Sequence, residues 1–400
     1  MPNSLLHPRQ FGFRHGCSTD QAVFQLYSKI KLLLSKRESK FVSLAAVDIK
    51  KAFDCVNHKL LIRKCNSLFN FDESASLLLA NYLNDCSQSV KLNDTCSNQL
   101  PVLAKVPQGS VLGPLLFILF INDLMTFQDC YLFADDCMIL TYGPSPDSSA
   151  KKLGLALISY TQWYKSNLLV LNAEKTQVMT ISNKSKKLMH LPQISFQDLK
   201  IKQCDFIKYL GIYIDKHLTF KKHLSMLKRK LYPVILNFMR NRKYITPYIA
   251  TIWYKQLIRP LLEFGAPVLF SSNKFIKNSL LAIENRCIKI IDSCSKTLTR
   301  HNHNIPLITR RMLYLLLLNF YKFTHNLVPV SDSTLLPPGA TESTRLGATG
   351  GFRFSAGAGP VLCSAVSEFN GLPHQIRALN SLSVFKKELK LRLLDATLSS

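Results

Sequence analysis

Three aspartates, Asp48, Asp135 and Asp136, in two short blocks offer this chain its most distinctive chemistry. The first block is Val47-Asp48-Ile49-Lys50-Lys51-Ala52-Phe53-Asp54, and the second is Tyr131-Leu132-Phe133-Ala134-Asp135-Asp136. Carboxylates are hard ligands suited to magnesium. A set holding two divalent cations roughly 3.5–4 Å apart can activate an attacking hydroxyl with one ion and stabilise a leaving pyrophosphate with the other. Acidic pairs are also common in plain turns, so the pattern gains meaning from its surroundings. The apolar run Val42 to Val47 reads as a buried strand that ends at Asp48. An acidic pair flanked by hydrophobic residues predicts a hairpin that lifts Asp135 and Asp136 out of a sheet.

Other blocks follow in a fixed order. Gln10-Phe11-Gly12-Phe13-Arg14 precedes the first aspartate, and Pro107-Gln108-Gly109-Ser110-Val111-Leu112-Gly113-Pro114 and Ile121-Asn122-Asp123-Leu124 lie between the acidic blocks. Trp163, the run Asn167 to Thr176, and Tyr209-Leu210-Gly211-Ile212-Tyr213-Ile214-Asp215 come after them. In this order the blocks resemble the reverse transcriptase of non-LTR (LINE-type) retrotransposons, over more than half of the chain. The resemblance implies an RNA-directed DNA polymerase that extends a DNA primer on an RNA template with dNTPs. Its implied cofactor is a pair of Mg2+ ions held by Asp48, Asp135 and Asp136, with Mn2+ as the alternative. A second reading, a catalytically incompetent remnant that only binds nucleic acid, stays open.

The same resemblance assigns further roles. Phe53 falls where an aromatic ring lies under the nucleotide sugar and leaves no room for a 2′-hydroxyl; the competing reading is a core aromatic. Gln108 and Gly109 match a loop against nucleotide and template, where glycine permits close backbone approach and glutamine both donates and accepts. Lys175 matches a lysine near the triphosphate that can protonate departing pyrophosphate; the alternative is a surface lysine. Tyr209 and Gly211 match a tight hairpin at the primer 3′ end. Asp54 reads as structural, pairing with Lys51 or capping the next helix. The resemblance starts at the Gln10 block, so the chain is expected to be N-terminally truncated. It would then lack an upstream fingers segment whose basic residue contacts the triphosphate, leaving Arg14, or Lys29, as the expected substitute.

Composition fits this reading. Lys and Arg total 51 against 25 acidic residues, a net charge of +26, which favours a polyanionic partner because each neutralised phosphate releases counterions. The 11 cysteines include no Cys-x-x-Cys pair, so reduced thiols and an intracellular setting, cytoplasm and nucleus, are expected. Cys287, Cys294, His301 and His303 could supply zinc ligands, but their spacing matches no common finger and Ile288 to Ile291 reads as an apolar helix face. No apolar stretch is long enough to span a bilayer. Oligomeric state is not legible.

The expected fold is α+β, a right-hand palm of antiparallel sheet covered by helices, with partial fingers. Helices are predicted after a cap at Ser18 or Thr19 and through Leu33, and at His58 to Leu68, Glu73 to Leu83, Leu112 to Asp123 and Ser148 to Ser166. Strands are predicted at Ser89 to Leu92, Leu103 to Val106, Val178 to Ile181 and Tyr209 to Ile214. Fingers and palm would occupy 1–215 and a helical thumb 216–295. A C-terminal region would fill 296–400, with a flexible linker at 335–360 rich in Ser, Thr, Gly, Ala and Pro. In the thumb, apolar residues from Leu218 to Phe238 interleave with Lys221, Lys222, Lys228, Arg229, Lys230, Arg240, Arg242 and Lys243. This is a basic amphipathic face suited to a duplex backbone, or a solvated face.

Overall fold

The apolar run before Asp48 forms the strand Phe41–Val47, which is the middle strand of a five-stranded sheet. The computed structural model describes residues 5–36, 38–84, 86–102, 104–107, 109–127, 130–182, 195–196, 199–292, 303–329, 352 and 360–394. Across the sheet the strands run Lys202–Gln203, Gln177–Ser182, Phe41–Val47, Asp136–Gly143, Cys130–Phe133. Two compact units are built from the chain. One comprises Met1–Thr19, Phe41–Thr180 and Lys186–Cys204, the other Asp20–Lys40, Ile181–Ser185 and Asp205–Ser400. The first helix, Thr19–Ser35, and the Tyr209 hairpin thus fall in the second unit, whereas the sequence reading grouped them with the palm.

In the first unit, Phe41–Val47 pairs antiparallel with Asp136–Gly143, from Phe41 opposite Gly143 to Val47 opposite Cys137. Asp136–Gly143 pairs in turn with Cys130–Phe133, ending at Phe133 opposite Asp136. Helices cover the sheet, which is why the middle strand is buried along most of its length instead of alternating. The helix Pro146–Ser166 packs on its central strands. It begins where Ser145 caps it by accepting from Ser148 N, with proline in its first turn. A polar stitch fixes its start: the Ser43 and Ser149 hydroxyls lie 2.9 Å apart, and Thr141 Oγ1 donates to Ser149 O at 2.9 Å.

Helices His58–Phe69 and Glu73–Leu83 form as expected, and the helix expected over Leu112 to Asp123 runs as Leu112–Ile121, followed by a 3-10 turn at Asn122–Thr126. Lys64 lies buried among them, its Nζ 2.7 Å from Asp123 Oδ1 and 4.5 Å from the Trp163 ring centroid. Two motif residues, Asp123 and Trp163, therefore serve packing around one buried cation. The strand expected at Leu103 to Val106 does not form: Ala104 makes an isolated bridge to Asn57, and Lys105 takes φ 130°, which breaks an extended run. Strand pairs occur instead at Ser87–Gln88 with Leu100–Pro101 and at Lys91–Leu92 with Thr95–Cys96.

The second unit is mainly helical. The helix Lys221–Asn241 buries Leu224, Leu227, Leu231, Ile235 and Phe238 at helical spacing. The turn into it is set by Asp215, whose carboxylate accepts from the backbone N–H of His217, Thr219 and Phe220. Helices Lys274–Ile291 and Ile308–Thr324 meet at Glu284, fully buried, which accepts from Tyr254 OH at 2.9 Å and Ile308 N at 3.0 Å. The tail helices Pro360–Asn370 and Leu382–Leu394 pack on Ile308–Thr324 through Phe320, Tyr321, Phe369 and Phe385, with Tyr321 stacked on Phe385 at 4.1 Å. The expected linker at 335–360 lies outside the described residues, apart from Phe352 and the helix start at Pro360.

Candidate active site

Asp48 lies just past the end of Phe41–Val47 and Asp136 opens the neighbouring strand: Asp48 follows Val47, Asp136 precedes Cys137, and those two residues are paired. Ala134 and Asp135 form the two-residue turn of the hairpin. Ala134 adopts a left-handed conformation, φ 56°, which matches the twist of a tight hairpin. Burial raises the Asp135 carboxyl above its ordinary value, against one backbone hydrogen bond that lowers it and with a smaller raising contribution from the charge of Asp48. Burial thus disfavours the charged Asp135 carboxylate, and Asp48 adds a smaller like-charge contribution, a setting that a divalent cation would relieve. Among the described residues, no three His, Cys, Asp or Glu side chains gather closely enough to form a ready metal cage. The carboxylates fit cation binding by type and backbone placement, and would have to draw together on binding.

The residues around them are tied in by the backbone. Asn172 N donates to Asp48 O at 2.8 Å, and Val170–Leu171 pairs with Ile49–Lys50. Thr176 closes the turn on Asn172 O through both N and Oγ1. Lys175, exposed, therefore rides on a turn fastened to the Asp48 backbone. Phe53 O accepts from Val106 N at 3.0 Å, joining the Phe53 block to the stretch that leads to Gly109. Gly109 has φ +84° and open space where a Cβ would stand, so its glycine requirement is conformational. Gln108 lies outside the described residues. The Phe53 ring is half-buried and stacks on buried Phe117 at 4.2 Å.

Several expectations change. Asp54 pairs with Lys105, at 3.8 Å, and the next helix is capped by Asn57. Arg14 donates through Nη1 to His7 O at 2.9 Å and Gln10 O at 3.2 Å, so this nitrogen braces its own loop. Arg242 does not belong to the free basic face: its guanidinium donates to Ile290 O, Ile291 O and Ile245 O, capping the C-terminus of Lys274–Ile291. His303 Nε2 lies 2.6 Å from Asp292 Oδ1 and Cys287 is buried, while Cys294 and His301 lie outside the described residues.

The sequence reading missed how the Gln10 block serves the hairpin. Phe11 N donates to Leu132 O and Leu132 N to Arg9 O. Gln10 Oε1, fully buried, accepts from Gly12 N at 2.9 Å and Ala134 N at 3.2 Å. A Cβ on Gly12 would meet Ala134 N at 2.2 Å. Gly12 was the available signal: a glycine inside an apolar block marks close backbone approach.

In the second unit, Tyr209 and Ile212 close the Phe206–Tyr209/Ile212–Asp215 hairpin over Leu210 and Gly211, with φ 46° and 88°, the positive pair a two-residue turn demands. A Cβ on Gly211 would strike Phe264 at 2.8 Å. Lys228, Arg229 and Lys230 are exposed on the helix Lys221–Asn241. Every described cysteine is a free thiol, and among the described residues no helix is long and apolar enough to cross a membrane.

An acidic hairpin beside an acid-terminated strand, in a helix-covered sheet, fits the class of nucleotidyl-transferring polymerases. Residues 1–214 match the family described as reverse transcriptase (RNA-dependent DNA polymerase), and the chain belongs to that family. Similar proteins in Drosophila melanogaster are the probable RNA-directed DNA polymerase from transposon BS and the RNA-directed DNA polymerase from mobile element jockey. The first is 30% identical over 72% of this chain and 33% of the relative. The second is 28% identical over 70% and 31%. The chain spans about a third of the length of these relatives. Their mobile-element origin agrees with the non-LTR resemblance carried by the motif order. The solved telomerase from Candida albicans in complex with a TWJ fragment of telomeric RNA has a TM-score of 0.38 at 13% identity, over 78% of this chain and 51% of that one.

Proposed function

We propose that the chain is the polymerase core of a non-LTR retrotransposon reverse transcriptase, extending a DNA primer on an RNA template with dNTPs. The observation that carries this reading is the placement of Asp48 beside the Asp135-Asp136 hairpin, with the Asp135 carboxyl pushed up by burial and by Asp48. Asp48, Asp135 and Asp136 would hold the divalent cations, magnesium or manganese. Two such ions, when bound, supply activation of the primer 3′-hydroxyl and charge neutralisation at the leaving pyrophosphate. Phe53 excludes a 2′-hydroxyl by bulk, and the Gln108-Gly109 loop lets backbone approach the nucleotide. Lys175 holds a proton for the pyrophosphate oxygen as the bond to the α-phosphorus breaks. Tyr209 and Gly211 support the primer end through their turn. Lys228, Arg229 and Lys230 serve a thumb that grips duplex phosphates. Free thiols suit an intracellular setting, cytoplasm and nucleus.

A second reading, binding without catalysis, is favoured by the failure of three carboxylates to gather into a metal cage among the described residues and by the Arg14 nitrogen spent on backbone carbonyls. Extension of an oligo(dT) primer on poly(A) RNA with magnesium separates the two. Extension supports the polymerase, hybrid binding without extension supports the remnant, and neither activity defeats both.

A further inference from the structure

Phe13 combines two costly features. Its ring is 55% exposed, and its backbone is left-handed at φ 53°, a conformation that a bulky residue adopts only when its surroundings impose it. The surroundings are the clamp described above: Phe11 paired to Leu132 on one side, Gly12 jammed against Ala134, and Arg14 fastened to two carbonyls on the other. This clamp aims the Phe13 ring at Phe53, with centroids 6.2 Å apart and planes at 88°, the edge-to-face arrangement that aromatic quadrupoles favour. Phe53 is therefore held by two rings, buried Phe117 stacked on it and exposed Phe13 set against it edge-to-face.

A steric gate works only if it does not yield. A ribose 2′-hydroxyl that meets Phe53 gains entry if the ring can tilt or slide, and each neighbouring ring removes some of that freedom. We infer that Phe13 is a positioning residue for sugar selection, bracing Phe53 so that ribonucleoside triphosphates are excluded more sharply than Phe53 and Phe117 would achieve alone. This rests on the polymerase reading and on Phe53 as the gate. It also gives a reason for the strain: an exposed ring in a left-handed backbone contributes little to packing, yet limits the movement of Phe53.

The test compares wild type, Phe13→Ala, Phe13→Leu, Phe53→Val and the double variant Phe13→Ala/Phe53→Val. Two readouts are taken: kcat/KM for single dNTP and rNTP additions, and the affinity of each nucleotide for complexes on a dideoxy-terminated primer, where no bond can form. A merely structural role would lower both nucleotides alike and leave their ratio unchanged. The inference expects Phe13→Ala to lower the dNTP-to-rNTP ratio by about two- to tenfold, the range set by one aromatic pair. Phe13→Leu should fall between it and wild type, and the double variant should be no less selective than Phe53→Val alone. An unchanged ratio in Phe13→Ala beside a lowered one in Phe53→Val overturns the inference and spares the gate. No effect of Phe53→Val overturns the gate and the inference with it. Failure to bind either nucleotide on the terminated primer defeats the polymerase reading itself.

Discussion

At the scale of single residues, the buried Asp135 carboxyl carries a cost to folding. Folding raises the Asp135 pKa, so its charged form is a cost at neutral pH that disappears as pH falls below the carboxylate range. Neutralising it should stabilise the empty fold: Asp135→Asn is expected to melt above wild type without divalent cations. Adding magnesium should raise the wild-type melting temperature and leave the variant nearly unmoved, because the ion then has fewer charges to bind. Thermal melts with and without the cation check this; a variant that melts lower in both conditions would mean Asp135 is a structural acceptor. The placement of Asp48 at a strand end and of Asp135 and Asp136 at a hairpin was legible because strand-turn patterning is local. The clamp of Gln10 and Gly12 on Ala134, and the contact of Phe13 with Phe53, were not, since both depend on residues far apart in sequence and on a positive φ that no residue type announces.

At the scale of elements, the helix Lys221–Asn241 carries two separable tasks. Its exposed Lys228, Arg229 and Lys230 should bind phosphates without regard to sequence. Replacing all three with Ala is expected to weaken RNA–DNA hybrid binding and flatten its log–log salt dependence by up to about one unit per lost contact. A salt titration that overlays wild type would show that these residues only face solvent. The buried side includes His223, only 6% exposed, whose pKa is pushed from 6.5 down to about 4 by burial and then by Lys230. The unfolded chain takes up that proton near 6.5 and the folded chain only near 4. His223 therefore contributes fully above 6.5, and its contribution is lost as pH falls toward 4, by at most about 1.4 kcal/mol per pH unit. Denaturant melts at about pH 7 and about pH 5 should show a smaller fall in His223→Gln than in wild type; equal falls would assign the acid sensitivity elsewhere. Helix periodicity made this element readable, but it also counted Arg242 among the free cations, because a charge pattern cannot reveal a guanidinium spent on the carbonyl end of a distant helix.

At the scale of the whole molecule, motif order, not any single motif, made the family legible, and the match over residues 1–214 agrees with it. The α+β architecture was readable from apolar runs of strand length and stretches of helical period before Ser166, although the strand expected at Leu103 to Val106 did not form. What escaped was grouping. The helix Thr19–Ser35 precedes the first strand in sequence yet belongs with the second unit; its Gln25 Nε2 donates to Pro329 O at 2.7 Å and Phe24 meets Phe323 edge-to-face at 6.4 Å. Contacts across three hundred residues of chain leave no local trace. The central claim is that Asp48 and the Asp135-Asp136 hairpin make the chain a metal-dependent polymerase. The most direct measurement is primer extension on an RNA template by wild type and Asp135→Asn at matched hybrid occupancy, with magnesium present. The account predicts extension by wild type and loss of at least about a hundredfold in the variant, as expected when a metal-binding carboxylate is removed, with hybrid affinity little changed. Extension by Asp135→Asn at the wild-type rate would contradict it.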